Sequence, residues 1–315
     1  MKLIAAFLRL VRWQNLAFIA ITQVLFYYSL VQPLYHKGIY FNFDKTHFIL
    51  LIIASVFIAA AGYIINDYFD LNIDQVNKPE RTVIDKAIKR RWAIVQHIFI
   101  SLAGIAISVY IDLTTRTFWL GLSNFACVML LFGYSISLKK KLLIGNILIS
   151  ALTAWVIIVA FLCYYRTIYC SGCDPAYYNV YVHRFIRISV LYAGFAFIIS
   201  LIREVVKDLE DMDGDARYGC KTLPIVWGIP ASKIFVAVWL VVLISVICVV
   251  QVYVLQFGWW WSAVYSFLLI ILPLVWIIFK LRDAQTAADY HRLSTAIKYV
   301  MFAGILSMIV FRVYS

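Results

Sequence analysis

A chain of 315 residues that is 64% hydrophobic and only 14% charged, with a mean hydropathy of +0.88, cannot hide its apolar side chains inside a soluble domain. No polar stretch is long enough to build a separate soluble unit, so residues 1–315 read as a single membrane-embedded domain. The formal charge of +12 does not mark a nucleic-acid partner, because the basic residues are scattered between apolar runs and form no polar module.

The N-terminal segment carries Lys2, Arg9 and Arg12. The apolar run after it is long enough to span a bilayer and lacks a small-residue cleavage site, so it reads as the first span and not as a signal peptide. Apolar runs then recur along the chain, and nine spans are expected at roughly 15–34, 47–65, 92–111, 117–136, 142–163, 185–205, 231–256, 259–279 and 294–313. With the N-terminus inside, 21 of the 28 Lys and Arg fall on the inner side. That bias predicts a multi-pass protein of the cell membrane with a cytoplasmic N-terminus. Cys127, Cys163, Cys220 and Cys248 fall in or near spans and read as packing residues. Cys170 and Cys173 form a CxxC in a loop on the outer side, where a disulfide is plausible. A zinc site there would need two further ligands, and His183 is the only obvious one nearby.

The acidic residues are far from evenly spread. Of 16 Asp and Glu, three lie in Asn66-Asp67-Tyr68-Phe69-Asp70-Leu71-Asn72-Ile73-Asp74 and six lie between Glu204 and Asp215. Asp67, Asp70 and Asp74 are spaced by three and then four residues, and Asp208, Asp211 and Asp215 repeat that spacing. Such offsets place side chains on one face of a helix, so each triplet is expected to form a carboxylate stripe on an extended helix end. Both stripes fall at the inner ends of spans, the second and the sixth. Three like charges on one face repel, proximity to hydrocarbon adds desolvation, and the negative end of the helix dipole worsens both. A bound cation relieves all three terms. Carboxylate oxygens suit Mg²⁺, which commonly bridges protein carboxylates and phosphates. Lys78, Arg81, Lys139, Lys140, Arg203, Lys207 and Lys221 are interleaved with these acids, as a metal-bridged diphosphate would require. Positive-inside bias alone could also have put any one of them there.

These residues resemble the motifs of the UbiA superfamily of intramembrane prenyltransferases. Asn66–Asp74 matches its NDxxDxxxD motif, and Asn77-Lys78-Pro79-Glu80-Arg81 is similar to the continuation. Lys207-Asp208 through Asp211, Gly214-Asp215, Gly219 and Thr222-Leu223-Pro224 resemble the second aspartate motif. Tyr134-Ser135, Leu138-Lys139-Lys140 and Leu143-Ile144-Gly145-Asn146 resemble the inner loop between the fourth and fifth spans. Arg12-Trp13-Gln14-Asn15 resembles an N-terminal element with Trp13 in place of proline. One stretch departs from the family pattern: Thr82-Val83-Ile84-Asp85-Lys86 stands where many members have a Pro-Ile-Pro-Ser-Gly-like run.

The resemblance implies an all-α polytopic fold: nine transmembrane helices in a ring around a lipid-open cavity, capped on the cytoplasmic side by the two aspartate-rich loops. It implies Mg²⁺ as cofactor, with Asp67, Asp70, Asp74, Asp208, Asp211 and Asp215 as metal ligands and Asp67, Asp70, Asp208 and Asp211 as the catalytic acids. Asn66, Lys78, Arg81, Lys139, Lys207 and Tyr134 would line the diphosphate site, and Glu204 could assist. The implied reaction is loss of diphosphate from an isoprenoid diphosphate and capture of the allylic cation by a lipophilic acceptor. The residues around Arg203 and the following Lys221-Thr222-Leu223-Pro224 are most similar to the branch that transfers geranylgeranyl from geranylgeranyl diphosphate to geranylgeranylglyceryl phosphate. Aromatic acceptors such as 4-hydroxybenzoate or a naphthoate stay open. So does an ion-coupled transporter, although both acidic clusters sit at loop depth and not at the membrane midplane. A CDP-alcohol phosphotransferase fits poorly, because Asp213-Gly214-Asp215-Ala216-Arg217 matches only half of that motif.

Overall fold

A computed structural model describes residues 2–77, 83–84, 88–170 and 175–314, apart from the side chains of Lys2, Leu3, Asp74, Asn77, Pro175, Ala176, Tyr177 and Phe311. Among the described residues eight helices are long and apolar enough to cross a bilayer. A short helix α1 (Lys2–Leu10) precedes the first of these, α2 (Trp13–Tyr35). Strand β1 (Ile39–Phe41) leads into α3 (Lys45–Asn77) and α4 (Arg90–Thr115). The 17-residue helix α5 (Leu120–Ile136) is apolar but shorter than the rest, and it occupies the fourth expected span. After α6 (Ile144–Tyr165) come strand β2 (Ile168–Cys170), α7 (Pro175–Glu210) and a single short turn of helix, α8 (Met212–Arg217). The chain closes with α9 (Gly228–Leu255), α10 (Trp260–Asp283) and α11 (Ala287–Arg312).

Large apolar side chains such as Phe99, Leu102, Leu122, Val249 and Phe279 point outward, as lipid-facing residues do. Sparse polar contacts tie the helices together inside. Gln23 donates to Ser55 Oγ at 3.0 Å and to the Val156 carbonyl at 3.2 Å, joining α2, α3 and α6. Asn124 donates to Ser108 Oγ at 2.7 Å between α5 and α4. Buried Asp112, near the end of α4, accepts from Thr117 Oγ1 at 2.6 Å and from the amides of Trp119, Leu120 and Gly121 at 3.2, 3.1 and 2.7 Å. One buried carboxylate thereby satisfies the open N-terminus of α5. Helices α2 and α10 each contain a widened π-turn, at Tyr27–Val31 and Phe267–Ile271, directly ahead of Pro33 and Pro273. Proline has no N–H, and the wider turn absorbs the missing helical bond.

The two ends of the bundle differ. Strands β1 and β2 pair antiparallel, with Tyr40 opposite Tyr169, over a buried cluster that includes Tyr27, Phe41, Phe43, Phe48 and Tyr164. Cys170 of β2 is disulfide-bonded, while Cys127, Cys163, Cys220 and Cys248 are free thiols; Cys173 lies outside the described residues. Helix α3 starts near this strand pair and carries Asp67 on the order of 30 Å away along its axis, at the helical rise of about 1.5 Å per residue. The aspartates therefore occupy the opposite end.

Candidate active site

The first triplet lies within unbroken helix: α3 continues through Asp67, Asp70 and Asp74 to Asn77. The second departs from expectation. Helix α7 stops at Glu210, Asp211 has non-helical angles (φ −97°, ψ 6°), and Asp215 sits on α8. The stripe of Asp208, Asp211 and Asp215 is therefore bent at its middle member. The bend spares these carboxylates a full helical face of mutual repulsion, and Gly219 (φ +70°) completes the reversal that brings the chain back under them.

Both segments open onto one cavity of about 620 Å³, whose walls include Asn66, Asp67, Asp70, Tyr134, Lys139, Lys207, Asp208, Asp211 and Asp215. Nine of the residues singled out from the sequence thus converge, although they come from α3, α5, the turn after α5, α7 and α8. The side chain of Asp74 and all of Lys78 and Arg81 lie outside the described residues.

Charge pairing organises the walls. Lys139 is ion-paired with Asp70, and the two side chains are only 11% and 15% exposed. Asn66 Nδ2 donates to the other oxygen of Asp70 at 2.8 Å. Arg12 pairs with Asp67 at 2.7 Å and lies 5.1 Å from the centre of the Tyr63 ring. Lys207 and Arg203 both reach Glu204, at 2.7 and 3.3 Å. Asn146 donates to Asp208 at 2.8 Å. Lys139 is delivered by a turn of 3₁₀-helix, Leu138–Lys140, that is clamped twice. The Lys221 amide donates to the Lys140 carbonyl at 2.8 Å, tying this turn to the tail of the second aspartate segment. Gly145 packs so closely beneath the turn that a Cβ there would fall 2.8 Å from Lys139 Cα.

Among the described residues no three His, Cys, Asp or Glu groups converge on a single point, since these carboxylates are turned toward the protein's own cations and amides. Their chemistry nonetheless fits a hard divalent cation. Every one offers carboxylate oxygen, and Asn66 Oδ1 is buried at the cavity wall with no hydrogen-bond partner. Thr222 Oγ1 and Arg203 Nε are likewise buried and unpartnered there. Burial, aided by Asp215, pushes the Cys220 thiol on the same wall up to about 11, so it stays protonated at neutral pH.

The polar cavity does not end blindly. A second cavity of about 250 Å³ adjoins it and shares Arg12, Asn15, Asn66, Tyr134, Arg203, Glu204, Lys207 and Lys298. Its own walls are chiefly apolar, with Phe18, Ile58, Leu131, Leu152, Trp155 and Val159. A charged chamber thus leads directly into a greasy one inside the bundle.

Several residues of the site were not among the expected site residues: Arg12, Asn15, Thr222 and Lys298 on the walls, and Asn146, which holds Asp208. Arg12 and Asn15 belong to the N-terminal element whose resemblance was legible. Lys298 falls within the last expected span, as does Arg312, and in the sequence it counts only as one of the inner-side cations.

A model of the UbiA prenyltransferase family matches residues 12–304. Among relatives, the digeranylgeranylglyceryl phosphate synthase of Thermococcus gammatolerans is 32% identical over 80% of this chain and 80% of its own length. That of Methanothermobacter thermautotrophicus is 31% identical over 81% and 84%. Solved structures agree on the fold. One from work on digeranylgeranylglyceryl phosphate synthase in membranes superposes with a TM-score of 0.63, at 23% identity and full coverage of both chains. A UbiA homolog from Archaeoglobus fulgidus bound to DMAPP and Mg²⁺ gives 0.56 at 17% identity, covering 95% of this chain and 98% of that one. With its paired aspartate segments on one cavity and the family match running nearly end to end, the chain belongs to the UbiA prenyltransferase family.

Proposed function

We propose that this protein transfers a geranylgeranyl group from geranylgeranyl diphosphate to geranylgeranylglyceryl phosphate, forming an ether lipid. The observation that carries this reading is the pair of joined cavities, one charged and one apolar, which matches the two halves of an isoprenoid diphosphate. The names of the relatives from Thermococcus and Methanothermobacter point to the same acceptor.

In this reading Asp67, Asp70, Asp74, Asp208, Asp211 and Asp215 would hold Mg²⁺, with Asn66 in support. When bound, the metal would supply positive charge to the leaving diphosphate. Lys139 and Lys207 donate hydrogen bonds to the phosphate oxygens, joined by Lys78 and Arg81, and Tyr134 closes the wall between the chambers. The allylic C–O bond breaks with its electron pair departing on diphosphate. The acceptor hydroxyl oxygen bonds to the allylic carbon, and its proton leaves to water or to the released diphosphate. Phe18, Leu131 and Trp155 exclude water from the greasy chamber, protecting the cation from hydrolysis. The protein works in the cell membrane with its N-terminus and aspartate loops in the cytoplasm, where a water-soluble diphosphate group and Mg²⁺ are available.

The test is turnover by the purified protein with geranylgeranyl diphosphate, offering geranylgeranylglyceryl phosphate and 4-hydroxybenzoate separately and reading products by mass. An ether-linked product that vanishes with EDTA and returns with Mg²⁺ supports the proposal. A prenylated aromatic product alone would refute the acceptor assignment, and turnover insensitive to EDTA would refute the metal.

A further inference from the structure

The cations around the two cavities are not equally engaged. Arg12 and Lys139 each have an aspartate of their own, and Lys207 shares Glu204 with Arg203. Glu204 is the carboxylate of that wall, and both of its neighbouring cations already claim it. Lys298 is different. It projects from α11, a membrane helix, and among the described residues it pairs with no carboxylate. Its contacts are Gln14 Oε1 at 3.4 Å and the face of Phe18, 5.5 Å from the ring centre, both on α2. It shares the lining of both cavities with Arg203, so two like charges face the same space. Arg203 itself keeps a buried Nε with no acceptor. Both side chains line the junction where the charged chamber meets the apolar one.

Two neighbouring cations with one already-shared carboxylate make an arrangement that costs energy until an anion arrives. The diphosphate of the donor has its own cations on the aspartate side. A second anion, entering from the lipid, would find its partners here. We propose that Lys298 and Arg203 form a binding subsite for the phosphate of the acceptor, distinct from the diphosphate site and responsible for preferring a phosphorylated acceptor over its neutral alcohol. This rests on the reading of the acceptor as a glyceryl phosphate lipid.

The chemistry follows from the shape of such a molecule. Its free hydroxyl and its phosphate share one short glycerol backbone, so fixing the phosphate at the junction holds the hydroxyl beside the boundary of the two chambers. The allylic carbon of the donor lies at that same boundary, because the diphosphate takes the charged side and the chain takes the apolar side. Lys298 is then a positioning and specificity residue that never touches the leaving group. Its location within a membrane-spanning helix also suits an acceptor whose tail stays in lipid.

The experiment compares geranylgeranylglyceryl phosphate with geranylgeranylglycerol as acceptors, at saturating geranylgeranyl diphosphate and Mg²⁺, in the wild type, Lys298→Gln and Lys298→Arg. Loss of a charge-assisted contact predicts a rise of about tenfold or more in KM for the phosphorylated acceptor in Lys298→Gln. KM for the diphosphate donor should stay unchanged, the preference over the neutral alcohol should collapse, and Lys298→Arg should restore most of it. An unchanged acceptor preference in Lys298→Gln, or an equal rise in donor KM, would overturn the subsite while leaving the overall function standing. A wild type that makes no product from the phosphorylated acceptor would overturn the function and the subsite together.

Discussion

Gly145 offers a test of how the cavity is built, because a single methyl group there strikes backbone. A Cβ at this position lies 2.8 Å from Lys139 Cα, 3.2 Å from the Leu138 carbonyl oxygen and 3.2 Å from Tyr134 Cε2. Carbon atoms in good contact sit about 3.5–4.0 Å apart, so Gly145→Ala must push the Lys139 turn away by roughly 1 Å. Main chain cannot rotate aside as a flexible side chain could. Overpacking of this kind costs about 1–3 kcal/mol. The turn cannot drift freely, since the Lys221 amide holds the Lys140 carbonyl and Lys139 is bound to Asp70. The displacement therefore passes to the ammonium group at the cavity wall, where, if the proposed function holds, about 1 Å of misplacement can cost on the order of 100-fold in rate. The expected outcome is a drop of about 10- to 100-fold in kcat/KM for the donor, with a lowered Tm in detergent but a folded protein. Gly194→Ala is the control, because nothing lies within 4 Å of its Cβ on the exposed face of α7. Kinetics and Tm for Gly145→Ala that match those of Gly194→Ala would refute the reasoning.

Three further outcomes are expected. Asp70→Ala and Asp211→Ala should each abolish release of diphosphate while the protein remains folded, as read by phosphate assay alongside thermal unfolding; normal turnover in both would remove them from the metal set. Asp112→Ala strips the acceptor from three backbone amides and one hydroxyl at the far end, so it should destabilise by about 2–4 kcal/mol, seen as a fall in Tm, with donor KM unchanged in the surviving fraction. Alkylation of Cys220 proceeds through the thiolate, and burial raises this thiol to about 11 from an ordinary value of 9.0. Labelling by N-ethylmaleimide, followed by mass spectrometry, should thus be slow at pH 7 and rise about tenfold per pH unit until pH approaches 11. Fast labelling at pH 7 would show that the thiol is open to solvent.

The lesson about what can be read in advance lies in particular residues. The apolar runs alone determined that this is a polytopic helical membrane protein, because hydrocarbon demands long helices with internal hydrogen bonding and leaves that demand written in composition. The two aspartate triplets were legible for the same local reason: a helix repeats every 3.6 residues, and offsets of three, four and seven announce a shared face. Local periodicity cannot foresee the bend at Asp211 in the second triplet, where helix α7 gives way to α8 although the spacing continues as if nothing had changed. Nor can it choose partners. Arg12 finds Asp67 across 55 residues and Lys139 finds Asp70 across 69, and those choices depend on how α1, α2, α3 and the turn before α6 come together. Lys298 illustrates the same limit. In the sequence it is one more inward-side cation among many, whereas folding sets it with Arg203 at the junction of a charged and an apolar chamber. Composition and spacing decided the medium, the helices and the acid-rich faces. Only the tertiary structure decided which charges neutralise one another and which are left facing the cavity, because electrostatic energy depends on distance in space and not on separation along the chain.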